Sequence, residues 1–256
     1  MTQVGQGRHG SPCWVSLAAR RLHQAQAFYS AALGWVWRPT PLGEEFRTAL
    51  SDGSPVAGVG ELAASLQAAH SWTPFFAVDD AGAIAARIHE RGGTVAVGPL
   101  SLGIGRAALA ADRDGAVFGF WEGATPPGWS VGRGRAPAWL ELRTRDALAA
   151  ALFYGEVFGW ASEGGLCSVG YEHDEVIVYE AECKVASLRG GAVEAAPDPQ
   201  LRPRWYVHFR VSDVDAAVAA ARAAGGTVAT APTDLSAGRQ ATLRDPDGGL
   251  FLVTAA

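Results

Sequence analysis

Alternation of apolar and polar positions recurs at four places along the chain, and each time it gives way to a helical period. The four segments open at Trp14 ("WVSLAARRLHQAQAFYSAALGW"), Trp72 ("WTPFFAVDD"), Trp139 ("WLELRTRDALAAALFYGEVFGW") and Trp205 ("WYVHFRVSD"). Alternation with period two is the signature of a half-buried strand. Asp80, Asp146 and Asp213 then stand where a helix N-cap belongs, because a short carboxylate can accept from the free N–H groups of a first turn. In "AAALFYGEVFGW" the apolar face runs through Ala151, Tyr154, Val157 and Phe158. Gly-Gly, or Leu/Phe-Gly, ends each helix as a C-cap does. Short apolar runs separated by turns such as "DRDG" and "DPDG" complete each unit. The pattern predicts βαβββ four times.

The units are copies. An offset of 133 residues aligns Trp72–Gly123 with Trp205–Ala256 without a gap, with twenty positions identical. An offset of 125 aligns Trp14–Trp35 with Trp139–Trp160, both carrying Phe-Tyr in the helix and Gly-Trp at its end. This is an internal duplication in the order 1-2-1-2. The difference between the offsets falls around "GYEHDEVIVYEAEC" in the third unit. The Gly/Pro-rich stretch "GATPPGWSVGRGRAP" reads as a linker. The organisation expected is one module over residues 8–123, a linker over 124–136 and a second module over 137–256.

Composition narrows the function. The chain has 256 residues, 48% hydrophobic and 18% charged, with a formal net charge of -5. Without a basic stripe there is no footprint for nucleic acid, and no apolar run reaches the length of a membrane span. The N-terminus lacks the segments of a secretion signal. Three cysteines without a Cys-x-x-Cys pair suit reduced thiols, so a cytoplasmic setting is expected.

Paired βαβββ units with "FY…LGW" or "FY…FGW" helices, and "DPDG" before a last strand, resemble the vicinal oxygen chelate superfamily of glyoxalases, extradiol dioxygenases and bleomycin-resistance proteins. The resemblance spans about Pro12 to Ala256. It implies an α+β fold of two glyoxalase-like modules with cupped mixed sheets. In metal-using branches a His stands seven residues before the Asp that starts the helix, and a Glu four residues after the Gly of "DPDG". The first-strand positions here hold Trp14, Thr73, Trp139 and Tyr206, and the alignable last-strand positions Gly119 and Leu252. The corresponding positions of units one and three are harder to align, and Glu61 is the nearest carboxylate. No metal and no cofactor are expected, because one Glu cannot hold an ion alone. Chemistry that needs the ion as Lewis acid is then disfavoured.

Strand alternation turns Trp14 and Ser16, Thr73 and Phe75, Trp139 and Glu141, and Tyr206 and His208 to the inside of the cups. Rings lining a cup favour a hydrophobic or aromatic small molecule; the opposing possibility is that they fill it. Glu141 and His208 occupy equivalent places. They read either as a proton-transferring pair or as polar anchors without chemistry. Isomerisation, cyclisation or elimination of a secondary-metabolite intermediate is the enzymatic expectation. The rival is a sequestering protein like the bleomycin-resistance branch, and a plugged scaffold is the third. A monomer or homodimer is expected. His9, His23, His70 and His89 read as surface or caps, His173 as a hairpin tip, and Arg106 and Arg239 as repeated ion pairs.

Overall fold

Each repeat folds as the alternation predicts. In the computed structural model, which describes residues 9–63, 69–160, 162–163, 165–235 and 238–255, the first repeat is β1 (Pro12–Ala18), α1 (Leu22–Leu33), β2 (Val36–Thr40), β3 (Gly43–Ser51) and β4 (Ser54–Gly60). The second is β5 (Trp72–Ala77), α2 (Ala81–Glu90), β6 (Thr94–Ser101), β7 (Gly105–Ala111) and β8 (Val117–Gly123). The third is β9 (Trp139–Arg143), α3 (Ala147–Phe158), β10 (Cys167–Glu172), β11 (Glu175–Glu180) and β12 (Cys183–Arg189). The fourth is β13 (Arg204–Arg210), α4 (Val214–Ala223), β14 (Thr227–Leu235), β15 (Gly238–Arg244) and β16 (Leu250–Ala255). Residues 8 and 256, the outer bounds expected for the modules, lie outside the described residues.

The strands form two eight-stranded sheets, ordered β2-β3-β4-β1-β5-β8-β7-β6 and β10-β11-β12-β9-β13-β16-β15-β14. Within every repeat the first strand pairs in parallel with the last and the other pairs are antiparallel. The α+β architecture of four βαβββ units is therefore observed.

Three helix starts are capped as the sequence predicts. Asp80 Oδ1 accepts from Gly82 N at 2.8 Å and Ala83 N at 3.0 Å; Asp146 does the same for Leu148 and Ala149, and Asp213 for Ala216. Such a cap is worth about 1 kcal/mol. At α1 the N-cap is Arg21, whose side chain makes no cap bond. Glu61, just past β4, supplies the missing acceptor, its Oε2 lying 2.8 Å from Leu22 N.

Contacts cluster into two compact units. One comprises Met1–Trp14, Pro74–Gly132 and Trp139–Trp205; the other Val15–Thr73, Arg133–Ala138 and Tyr206–Ala256. The first thus joins most of repeats two and three, where α2 packs on α3, and the second most of repeats one and four, where α1 packs on α4.

The duplicated words build the core of each unit. In the second unit Tyr29 is wholly buried; its hydroxyl donates to Asp245 Oδ2 at 2.9 Å and accepts from Trp72 Nε1 at 2.8 Å. In the first, Tyr154 donates to Asp112 Oδ2 at 2.9 Å and accepts from Trp205 Nε1 at 2.9 Å. Each Asp is the first residue of a "DxDG" turn and also accepts backbone N–H groups of that turn. Trp35 and Trp160, placed by the left-handed glycines Gly34 and Gly159, stack on the two tyrosines at interplanar angles of 18° and 17°. The Phe before each Tyr fixes the "GGTV" word: a Cβ on Gly93 would fall 2.9 Å from the Phe153 ring, and one on Gly226 would fall 2.7 Å from the Phe28 ring. Burying such a ring is worth about 2–3 kcal/mol, and a hydroxyl buried without partners costs about 1–3 kcal/mol. The Asp and Trp partners therefore keep the burial favourable.

Candidate ligand-binding site

The parallel strand registers identify the four last-strand positions, including the two that sequence alignment leaves open. Ser16 pairs with Gly58, Phe75 with Gly119, Glu141 with Ser187 and His208 with Leu252. The residues at the metal-ligand places of the fold are thus Trp14, Gly58, Thr73 and Gly119 in the first sheet, and Trp139, Ser187, Tyr206 and Leu252 in the second. None is an imidazole or a carboxylate, the donors a divalent ion of this fold would need.

Packing reinforces the substitution. The Phe75 ring lies so close over Gly119 that a Cβ there would meet it at 2.3 Å, which leaves no room for a Glu. Tyr206 packs with Leu250 and Leu252 in one buried cluster. Glu61 is engaged as the α1 cap, and Glu122 accepts from Ala81 N at 2.8 Å and pairs with Arg106 at 3.0 Å. Among the described residues, no group of three His, Cys, Asp or Glu side chains could hold a metal ion. These residues do not fit one.

Trp14, Phe75, Trp139 and Glu141 fall in the first compact unit; Ser16, Thr73, Tyr206 and His208 fall in the second. Trp14 is half-buried and meets Trp129 of the linker, ring centroids 5.3 Å apart. Trp139 and Glu141 are half-buried on β9, alternating with the buried Leu140 and Leu142. Glu141 sits beside the buried Ser187. Burial lowers the Arg189 guanidinium pKa, but the hydrogen bond that Arg189 donates to Glu175 and the charge of Glu141 outweigh it and raise the value. Thr73, Tyr206 and His208 are buried, His208 completely; its carbonyl accepts from Ala138 N at 2.7 Å.

One histidine departs from its expected role, while His173 and the two repeated arginines keep theirs. His70, expected at the surface or as a cap, is 3% exposed in its side chain, with Nε2 2.8 Å from Asp245 Oδ2 and Nδ1 3.0 Å from the Ala18 carbonyl. Its counterpart across the repeat is Pro203, so periodicity gives no hint of it. His173 lies at the left-handed tip between β10 and β11, as a hairpin tip should. The two repeated arginines do form ion pairs, Arg106 with Glu122 and Arg239 with Asp215 and Asp234.

A cleft of about 580 Å³ opens in the first compact unit beside α3, lined among others by Asp112, Asp114, Arg145 and Asp146. Its acidic groups have structural work. Burial pushes the Asp112 carboxyl up although it accepts from Tyr154 and the turn amides. Asp114 is also raised by burial, but hydrogen bonds from Arg145 and Thr144 outweigh that and hold it below the ordinary carboxylate range. Asp146 caps α3. None of the sequence-derived site residues lines this cleft.

The two mixed sheets of βαβββ repeats define a glyoxalase-like protein of the vicinal oxygen chelate superfamily, and the chain belongs to that family. Residues 139–254 match the glyoxalase-like domain. The chain is 31% identical to "Putative glyoxylase CFP32" of Mycobacterium tuberculosis (strain CDC 1551 / Oshkosh), over 99% of this chain and 97% of that one. It is 32% identical to the anthracycline biosynthesis protein DnrV of Streptomyces peucetius, over 95% and 92%. Among solved structures it resembles the Mn(II)-bound glyoxalase of Novosphingobium aromaticivorans, with 15% identity, a TM-score of 0.59 and coverage of 97% and 83%. A catechol 2,3-dioxygenase matches with 12% identity, a TM-score of 0.57 and coverage of 96% and 87%. At such identities the likeness is one of fold alone. No helix among the described residues is long and apolar enough to cross a membrane.

Proposed function

We propose that the protein is a metal-independent member of the superfamily that binds a hydrophobic or aromatic small molecule, an intermediate of secondary metabolism. In the second module it moves protons on that molecule. The observation that carries the reading is the set of ligand-equivalent positions, Trp14, Thr73, Trp139 and Tyr206 on the first strands and Gly58, Gly119, Ser187 and Leu252 on the last, none of which is an imidazole or a carboxylate. Similarity to an anthracycline biosynthesis protein supports the metabolic setting. Trp14, Ser16, Thr73, Phe75, Trp139 and Tyr206 contribute the ligand contacts. Glu141 and His208 carry the acid–base role, since an imidazole titrates near neutrality and a carboxylate can exchange protons with a bound enol or ketone. Their counterparts in the first module, Ser16 and Phe75, cannot.

Native mass spectrometry of the protein, purified without heating or dialysis, tests the binding; it should show a co-purified organic adduct. A stoichiometric transition-metal adduct would contradict the reading. Incubation of the released compound then separates the two classes. A structural change that disappears in Glu141→Gln/His208→Phe indicates catalysis, and recovery of the compound unchanged indicates sequestration.

A further inference from the structure

On the face of β9 that carries Trp139 and Glu141, the next residue is Arg143. It is half-buried. Leu140 and Leu142 turn the other way, into the core, so alternation puts Trp139, Glu141 and Arg143 in a row on one face. Arg143 pairs in register with Arg189 of β12, and Glu141 with Ser187. Arg189 is already matched: its Nε donates to Glu175 Oε1 at 2.9 Å and a second guanidinium nitrogen donates to the same oxygen. In Arg143, by contrast, the Nε is shut off from solvent and has no hydrogen-bond partner among the described residues.

A donor enclosed without an acceptor costs about 1–3 kcal/mol, and more when the group is charged. That cost is recovered if the guanidinium turns its Nε–Nη edge onto an anion, which its planar fork can grip through two parallel hydrogen bonds. Spacing constrains what else the anion carries. At about 3.3 Å per residue along a strand, Glu141 lies roughly 7 Å from Arg143 and Trp139 roughly 13 Å. A carboxylate held at Arg143 therefore sets the body of a flat ring system beside Glu141 and its far end against the Trp139 indole. The counterpart of Arg143 in the first repeat is Ala18, so this feature belongs to the second module. That is also the module with the acid–base candidates.

We infer that the second module selects aromatic carboxylic acids, with Arg143 as the carboxylate anchor and Arg189, neutralised by Glu175, as its cationic neighbour. The inference rests on the proposed aromatic-ligand function and adds the anionic group to it.

The probes are 2-naphthoate and its neutral counterpart 2-naphthamide, titrated into the full-length protein. Two signals are followed by nitrogen-resolved NMR: the Arg143 Nε–H, identified by its loss in Arg143→Lys, and the Trp139 indole N–H, identified by its loss in Trp139→Phe. Naphthoate should move both saturably, naphthamide should move Trp139 at least tenfold more weakly, and Arg143→Met should abolish the difference between the probes. Equal response of Trp139 to both probes, with the Arg143 signal unmoved, overturns the anion anchor and leaves the aromatic-ligand reading standing. Acetate shifting Arg143 saturably while neither naphthyl probe reaches Trp139 keeps the anchor and removes the aromatic reading. Silence of both signals overturns both. Both signals are read in the folded wild-type protein, so the comparison of the two probes does not depend on the folding of Arg143→Met.

Discussion

At the scale of single residues, the Tyr–Asp–Trp sets explain why both copies keep the same letters. Tyr154 is wholly buried, and its hydroxyl is the only link between the Asp112 carboxylate and the Trp205 indole that the described hydrogen bonds show. Tyr154→Phe removes that link and strands two polar groups. We expect it to lower stability by about 1–3 kcal/mol, read as a fall in the urea midpoint at unchanged slope. Burial and the nearby Asp112 keep this phenol far above its ordinary pKa, so it stays neutral at any working pH. The two acids of the "DRDG" turn act in opposite directions. Asp112 has a raised folded pKa, so its contribution is present at low pH and is lost as pH rises through that value. Asp114, held low chiefly through Arg145 against the effect of burial, contributes above the unfolded carboxylate value and loses that contribution as pH falls through its folded one. Arg145→Ala should therefore destabilise at pH 7, modestly because the arginine is half exposed, and the gap to wild type should close in acid. Urea midpoints across pH 3–7 would show it.

At the scale of elements, the strand register decides what each position can hold. Gly119 has the Phe75 ring where its Cβ would stand. Gly119→Ala should cost about 1–3 kcal/mol through overpacking. In a Phe75→Ala background the same change should cost much less, and a double-mutant cycle on denaturation free energies measures the coupling. The helices, the Asp caps of three of them, the repeated turns and the strands were legible in the chain, because local chemistry and period two or 3.6 specify them. Gly58 and Ser187 were not, since the loops between first and last strand differ in length among repeats, and only hydrogen-bonded pairing aligns them. Glu61 as a cap and His70 as an Asp245 partner also escaped, because each contact joins residues far apart in sequence; the Glu61 cap recurs in the second repeat, where Glu122 accepts from Ala81 N, but only the strand register makes the two glutamates equivalent. Arg143 was within reach: it continues the Trp139–Glu141 alternation by one step, but a terminal strand arginine reads as solvated until its environment is known.

At the scale of the whole molecule, the sequence halves and the units of densest contact are drawn differently. The expected modules, 8–123 and 137–256, follow the duplication, whereas each compact unit takes segments from both. Tyr29 comes from the first half and its Asp245 from the second; Asp112 comes from the first half and its Tyr154 from the second. The glycine contacts obey the same rule, Phe28 on Gly226 and Phe153 on Gly93. Residues 1–130 and 131–256, produced as separate polypeptides, should each be aggregation-prone and unfolded. Co-expressed, they should assemble one-to-one and regain the native melting transition, which size-exclusion chromatography and calorimetry would detect. Two well-behaved monomers from the separate fragments would contradict that exchange of partners. Because each copy completes the other's interior, the two halves are bound to persist together: neither can drift, be lost or be traded for a foreign domain without exposing the phenol of one and the carboxylate of the other.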